Sequence, residues 1–280
     1  MNHDSLLEEL EAEIAIRGFS RKTMKSYSYF VKKFLLWVEK DKSLKGRLEV
    51  VESTDVKRYL LFLVKQGYQE STIRLSLAAL NFFFENVVGR EVNIKNIPRP
   101  KKKKTLPKTL AKKQVKRMIK IADNKKHKLA IMLLYSAGLR VSELVKLKKQ
   151  DFDFENNLIR IRQSKGKKDR VTILSEKTTK PLLEHFWNLE GEHVFPGKNK
   201  HYSTKTIQEI VAKAGKKARV GKKVTPHMLR HSFATHLLEE GTSIRIIQKL
   251  LGHTRLETTQ VYTHIADSNL KNIKSPFDKF

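Results

Sequence analysis

Apolar residues recur along the first 97 positions at the three-to-four spacing of a helix face. Leu6, Leu7, Leu10 and Ile14 form one stripe, which stops at Gly18. Ser20 caps a second, with Tyr27, Phe30, Val31, Phe34, Leu35 and Val38 on one side. Thr54 opens a third through Val56, Tyr59, Leu60, Leu63 and Val64, ended by Gly67. Ser71 caps a fourth through Ile73, Leu77, Leu80 and Phe84. Four helices, each apolar on one face, can cover one another only as a bundle.

The pattern breaks at Ile97-Pro98-Arg99-Pro100-Lys101-Lys102-Lys103-Lys104-Thr105-Leu106-Pro107. Three prolines and a run of cations can neither continue a helix nor bury a face, so residues 98–108 are predicted to be an extended linker. Helical periodicity resumes after Thr109. Val115, Met118 and Ile119 make one stripe, and residues 129–135 are apolar enough for a buried helix. Residues 158–162 and 171–174 read as two strands of a hairpin, joined by Gln163-Ser164-Lys165-Gly166-Lys167-Lys168-Asp169-Arg170. Helices are predicted again around 178–187, 203–214, 225–240 and 243–251, with Gly241 and Gly252 ending the last two. The expected fold class is mainly α with a small antiparallel β-sheet (α+β). Its domains would be a helical bundle over 1–97, a basic linker over 98–108, and a second domain over 109–280.

Charge adds a partner to this picture. The chain of 280 residues has 58 Lys+Arg against 29 Asp+Glu, a formal net charge of +29. Residues 1–97 hold 16 basic and 13 acidic groups, residues 98–108 six basic and none acidic, and residues 109–280 36 basic and 16 acidic. Such an excess points to a polyanion and argues against a small-molecule enzyme. The second domain should make most of the phosphate contacts, with Lys101, Lys102, Lys103 and Lys104 as a strap along a nucleic-acid backbone. The sequence has no cysteine, which excludes disulfides, thiolate metal sites and cysteine nucleophiles. No apolar run approaches the roughly 18 residues of a membrane span. The polar start, Met1-Asn2-His3-Asp4-Ser5, leads into an acidic helix and argues against a signal peptide. An intracellular, cytoplasmic protein is expected.

The candidate chemistry lies in the second domain. Thr225 as N-cap and Pro226 in the first turn fix a helix start, and His227 and Arg230 then share one face near the positive end of its dipole. His227 and His231 are four apart, but the run His227-Met228-Leu229-Arg230-His231 lacks the glutamate of a zinc-protease helix and sets an arginine between the rings, so no metal is assigned. Arg140 follows Gly138-Leu139, and Glu143, one turn on, is placed to orient its guanidinium toward a phosphate oxygen. Lys165 sits at a hairpin tip, where Lys167, Lys168 and Arg170 are equally placed by spacing alone to reach a groove. His253 follows the helix-ending Gly252, and Tyr262 lies nine residues beyond it. A phenol can attack a phosphodiester when cations and donors stabilise the charge that develops on the phosphate, and this segment supplies both.

In order, these are Gly138-Leu139-Arg140-Val141-Ser142-Glu143-Leu144, then Lys165, His227-Met228-Leu229-Arg230-His231, Leu251-Gly252-His253 and Tyr262. This order resembles the tyrosine recombinases over about residues 109–264. The helical first part looks like their core-binding domain, and the absence of a further arm domain looks like the short Xer type, nearest the archaeal ones. The resemblance implies a catalytic set of Arg140, Lys165, His227, Arg230, His253 and Tyr262. Tyr262 would attack the scissile phosphate to give a 3′-phosphotyrosine, and Arg140, Arg230 and His253 would hold the non-bridging oxygens. Lys165 would protonate the leaving 5′-oxygen, and His227 would serve proton transfer at the nucleophile. No cofactor is implied, and the sequence has neither a phosphate-binding loop of P-loop type nor a two-metal carboxylate cluster. Double-stranded DNA would be the partner, contacted also by Lys167 and Arg170. The chain would act as a homotetramer on two DNA sites, and as a monomer or dimer when free. Residues 265–280, with Leu270, Ile273, Phe277 and Phe280 on their apolar side, would link protomers. The expected role is Xer-type resolution of chromosome dimers. The alternatives are a mobile-element integrase, a type IB topoisomerase, and a non-catalytic regulator using residues 242–261 as a helix-turn-helix.

Overall fold

A computed structural model describes residues 3–90, 92–94, 97–98, 107–162, 169–198, 200–253 and 259. The chain divides into two compact units, Met1–Lys104 and Thr105–Phe280. The strap Lys101, Lys102, Lys103 and Lys104 lies outside the described residues, as does most of the linker.

The amino-terminal unit is a helical bundle of α1 (His3–Ile16), α2 (Arg21–Lys40), α3 (Ser53–Lys65) and α4 (Glu70–Phe83). Ser20 starts α2 as expected, its hydroxyl accepting from the Thr23 N–H at 3.1 Å. The next two helices start slightly earlier than predicted. At α3 the Asp55 carboxylate accepts from the Glu52 N–H at 2.9 Å, which moves the cap to Glu52 and leaves Thr54 inside the first turn. At α4 the cap is Gln69. A π turn, Phe84–Val88, prolongs α4 and closes at Gly89. The core is aromatic at its centre. The Phe34 ring lies 5.1 Å from Tyr59 and 5.9 Å from Phe84, each edge to face.

The carboxyl-terminal unit is built around α10 (Pro226–Glu239), which is buried on most of its circumference from Pro226 to His236. Around it stand α6 (Lys125–Ser136), α9 (Thr204–Lys217) and α11 (Ile244–Leu251), with α5 (Lys112–Ile121) packed on α6 and α9 and α8 (Glu176–Trp187) packed on α6. The Ser232 hydroxyl of α10 donates to Met228 O and accepts from the Leu110 N–H, both at 2.8 Å. The sheet is three-stranded and antiparallel in the order β1 (Phe152–Asp153), β2 (Leu158–Ile161), β3 (Arg170–Ile173). Register pairs Ile159 with Thr172 and Ile161 with Arg170. The mainly helical fold with a small antiparallel sheet is therefore as the sequence predicts, with β1 and the single-turn α7 (Val141–Leu144) as additions.

Alternation along β3 runs against hydrophobicity. Arg170 and Thr172 face inward, while Val171 is 46% exposed. Thr172 is accommodated because its hydroxyl donates to Ala137 O at 2.9 Å. Arg170 has a comparable reason, which belongs to the site.

Candidate active site

Two close backbone approaches build the site. Gly138, just past α6, has φ +60°, and a Cβ on it would stand 2.4 Å from a ring carbon of Phe233 on α10. Only glycine allows both the left-handed turn and that contact. The turn thus lies against α10, and the buried Arg230 reaches it, Nη1 donating to Gly138 O at 2.6 Å. Two residues on, Arg140 caps α7, and Glu143 folds back on it. Glu143 Oε2 accepts from the Arg140 backbone N–H and Oε1 from Arg140 Nη1, both at 2.7 Å. The second approach is at Gly252, the left-handed end of α11, where a Cβ would stand 2.4 Å from Cδ of Arg170.

The last carbonyls of a helix have no partner within it and carry the negative end of its dipole. At the end of α11 three successive carbonyls are each taken by a different arginine. Leu250 O accepts from Arg170 Nη1 at 2.8 Å, Leu251 O from Arg230 Nη2, and Gly252 O from Arg140 Nη2 at 3.3 Å. The same three guanidinium groups surround Glu143. Arg170 Nη2 is 2.6 Å from Oε2, Arg140 Nη1 2.7 Å from Oε1, and Arg230 Nη1 3.7 Å from Oε2. One carboxylate among three cations leaves an excess of positive charge in a largely buried place, which is the electrostatic requirement for holding an anion. Burial pulls the Arg170 guanidinium down from its ordinary value, against the opposite pull of Glu143.

His253 completes the cluster. Its Nε2 is 3.3 Å from Arg230 Nη2 and its Nδ1 3.0 Å from Thr259 Oγ1. An arginine can only donate, so Nε2 accepts and the ring proton sits on Nδ1, toward the threonine. Burial first, and then Arg230 and Arg140, pull this ring down to about 4, so it is neutral at pH 7. His231 is likewise held down to about 4, by burial and then by its neighbours His227 and Arg230. His227 is exposed at the start of α10, its ring centre 6.4 Å from that of His231. The buried His236 pairs with Tyr135 OH at 2.9 Å, a packing role.

Of the residues singled out in the sequence, Arg140, Glu143, Arg230 and His253 therefore converge, with His227 at the start of the same helix as Arg230. Lys165, Lys167 and Tyr262 lie outside the described residues, as does the segment 265–280. Arg170 is a correction. Expected to reach toward DNA with the hairpin lysines, it is instead buried, its two terminal nitrogens taken by Glu143 and Leu250 O. Thr259, the partner of His253, had no signal beyond a hydroxyl six residues downstream.

The model of the Phage integrase family matches residues 108–269, and that of the phage integrase N-terminal SAM-like domain matches residues 6–94. The chain is 39% identical over 276 residues to the tyrosine recombinase XerA of Pyrococcus horikoshii, covering 96% of this chain and 92% of that one. A crystal structure of XerA recombinase is similar at a TM-score of 0.55, with 32% identity over 96% of each chain. The XerH site-specific recombinase bound to a palindromic difH substrate, in a post-cleavage complex, shares the fold at a TM-score of 0.76 and 23% identity, over 91% of this chain and 80% of that one. Among the described residues no helix is long and apolar enough to cross a membrane. With both family models matched and archaeal XerA relatives aligned over nearly its full length, the chain belongs to the phage integrase family, as a tyrosine site-specific recombinase of the archaeal Xer type.

Proposed function

We propose that this recombinase cuts one strand of double-stranded DNA with Tyr262 and joins the resulting 3′-phosphotyrosine to the 5′-hydroxyl of a partner strand. The observation that carries this reading is the convergence of Arg140, Arg230 and His253 at the Gly252 turn. There, guanidinium donors and an imidazole lie together within hydrogen-bonding distance. In the reaction the phenolic oxygen bonds to phosphorus, the 5′-oxygen leaves with a proton from Lys165, and the phenol's proton passes toward His227. Arg140 and Arg230 turn donors to the non-bridging oxygens, and each such donor contributes on the order of 10²–10³ in rate. His253, neutral in the free site, gains a proton more readily beside the phosphate, because an anion opposes the effect of the arginines. The ester energy is retained in the phosphotyrosine, so religation needs no cofactor.

Lys101, Lys102, Lys103, Lys104 and Lys167 contact the DNA backbone. A homotetramer on two sites, linked through residues 265–280, exchanges the strands, in the cytoplasm. Similarity to XerA across nearly the whole chain favours resolution of chromosome dimers over mobile-element integration.

The test is covalent trapping on a nicked substrate whose 5′ fragment diffuses away. Wild-type protein gives a DNA adduct, and Tyr262→Phe gives none while keeping its site affinity. An adduct that persists in Tyr262→Phe assigns the nucleophile elsewhere. Strand exchange between two separate duplexes is expected, and relaxation of supercoils without exchange would indicate topoisomerase chemistry instead. Adducts mapped on the chromosome should gather at one locus, and scattered or element-borne sites would refute the chromosomal role.

A further inference from the structure

The buried Arg170 takes no part in the chemistry proposed above, yet it bonds to Glu143 and to the end of α11, the two features against which Arg140 and Arg230 rest. Its planar fork spans two acceptors that no other described residue joins. Nη2 meets Glu143 Oε2 at 2.6 Å, and Nη1 meets the α11 carbonyl of Leu250 at 2.8 Å. Its stem lies under Gly252, in the space a Cβ would need. Its side chain is 6% exposed, so it is a poor candidate for DNA contact. β3 turns this charge inward while leaving Val171 outside, an arrangement that burial of apolar area alone would reverse.

We infer that Arg170 is a positioning residue for the recombination reaction, acting through Glu143 and the end of α11 on Arg140, Arg230 and His253. The inference rests on the recombinase mechanism proposed above. Glu143 has two jobs. Oε1 orients the Arg140 guanidinium, and Oε2 receives the Arg140 backbone N–H and Arg170. Arg230 Nη1 lies 3.7 Å from that same Oε2 while bonded to Gly138 O at 2.6 Å. Without Arg170, Oε2 loses its closest guanidinium while Oε1 keeps Arg140, and Arg230, 3.7 Å from Oε2, is placed to take the vacated position. Arg230 would then turn from Gly138 and Leu251 toward Glu143, away from the phosphate. The end of α11 would also lose one of its three anchors, immediately before His253. Arginine is required here because one ammonium cannot reach along two directions fixed by a planar group.

Arg170→Lys and Arg170→Met should bind the DNA site within about twofold of wild type, yet form the Tyr262 adduct on the order of 10²-fold more slowly, as a misplaced catalytic group does. Adding Glu143→Gln to Arg170→Met removes the charge that would draw Arg230 off the phosphate and should recover roughly tenfold of that loss, which no loss of packing would produce. Cleavage at the wild-type rate by Arg170→Lys overturns the inference and leaves the recombinase mechanism standing. Affinity falling in step with cleavage makes Arg170 a DNA contact, and melting temperature falling in step with it in both single variants makes the role one of folding alone. Either result overturns the inference, as does a double variant slower than Arg170→Met. Failure of the wild-type chain to form any adduct overturns the mechanism, and the inference with it.

Discussion

The two units solve the placement of charge in opposite ways. In the amino-terminal unit the interior is aromatic and aliphatic, and the ion pairs lie outside. Arg17 beside Glu13 and Arg58 beside Asp41 have side chains 48% and 46% exposed. In the carboxyl-terminal unit, Glu143, Arg170 and Arg230 have side chains 5%, 6% and 4% exposed, and they touch one another. Taking ions out of water costs several kcal/mol each, and a tidy hydrocarbon core would usually be more stable. On the reading proposed above, the contrast separates a unit whose interior serves stability from one whose interior serves chemistry.

The contrast can be broken most severely at Glu143. Glu143→Ala leaves three arginines without their shared acceptor. It should destabilise the carboxyl-terminal unit by about 3–5 kcal/mol and slow adduct formation on the order of 10²-fold or more. Arg17→Ala, which removes an exposed pair, should cost at most about 1 kcal/mol. Denaturant unfolding of the two variants decides, and comparable losses would erase the distinction.

A smaller effect separates two glycines that both end helices with positive φ. Gly67, after α3, has φ +78° and no atom within 4 Å of an added Cβ. Gly67→Ala should therefore cost only left-handed strain, about 1–2 kcal/mol. Gly252→Ala carries the same strain and also displaces Arg170. It should lose more stability and, unlike Gly67→Ala, slow cleavage. Equal cleavage rates for the two would mean that the Gly252 contact is immaterial to the site.

The smallest effect is a difference in pH response. His253 is held at about 4 in the folded chain, below the ordinary histidine value near 6.5. As pH falls below about 6.5 the unfolded ring takes a proton and the folded ring does not. Its contribution is therefore full above 6.5 and is lost as pH falls toward 4, with His231 acting in the same sense. His3 is the one histidine before residue 105. Native-state hydrogen exchange should show the carboxyl-terminal unit loosening between pH 6.5 and 4 more steeply than the amino-terminal one from histidine titration. His253→Gln should flatten that slope. An unchanged slope in His253→Gln would show that this ring is not protected from protonation.

Much of this was legible in the chain, and what was not has identifiable causes. Caps that use the first side chain available, Ser20 and Thr225, read correctly, because the hydroxyl three residues before a free N–H is a local signal. The cap at Glu52 was hidden, since it depends on Asp55 reaching back from inside the helix. β1 and α7 are too short for any periodicity to mark. At the site, Arg140, Glu143, Arg230 and His253 could be grouped from their order along the chain. Arg170 could not be placed, because a strand's alternation fixes which residues share a face and leaves open which face turns inward. That choice was made by Glu143 and the end of α11, both far away in sequence. Hydrophobicity alone would have chosen the other face.

The three carbonyls at the end of α11 also bear on where the cost of reorganisation falls. Water around a free guanidinium must be stripped and rearranged when a phosphate arrives, and that work opposes binding and reaction alike. In the proposed reaction Arg140 and Arg230 would reach the encounter already oriented, and Arg230 largely dehydrated, resting on Gly252 O and Leu251 O. The incoming oxygens would then exchange with carbonyls of known position instead of with bulk solvent. Folding would by then have carried much of the desolvation of the arginines, so that the binding energy of a DNA site would remain free to be used on the transition state.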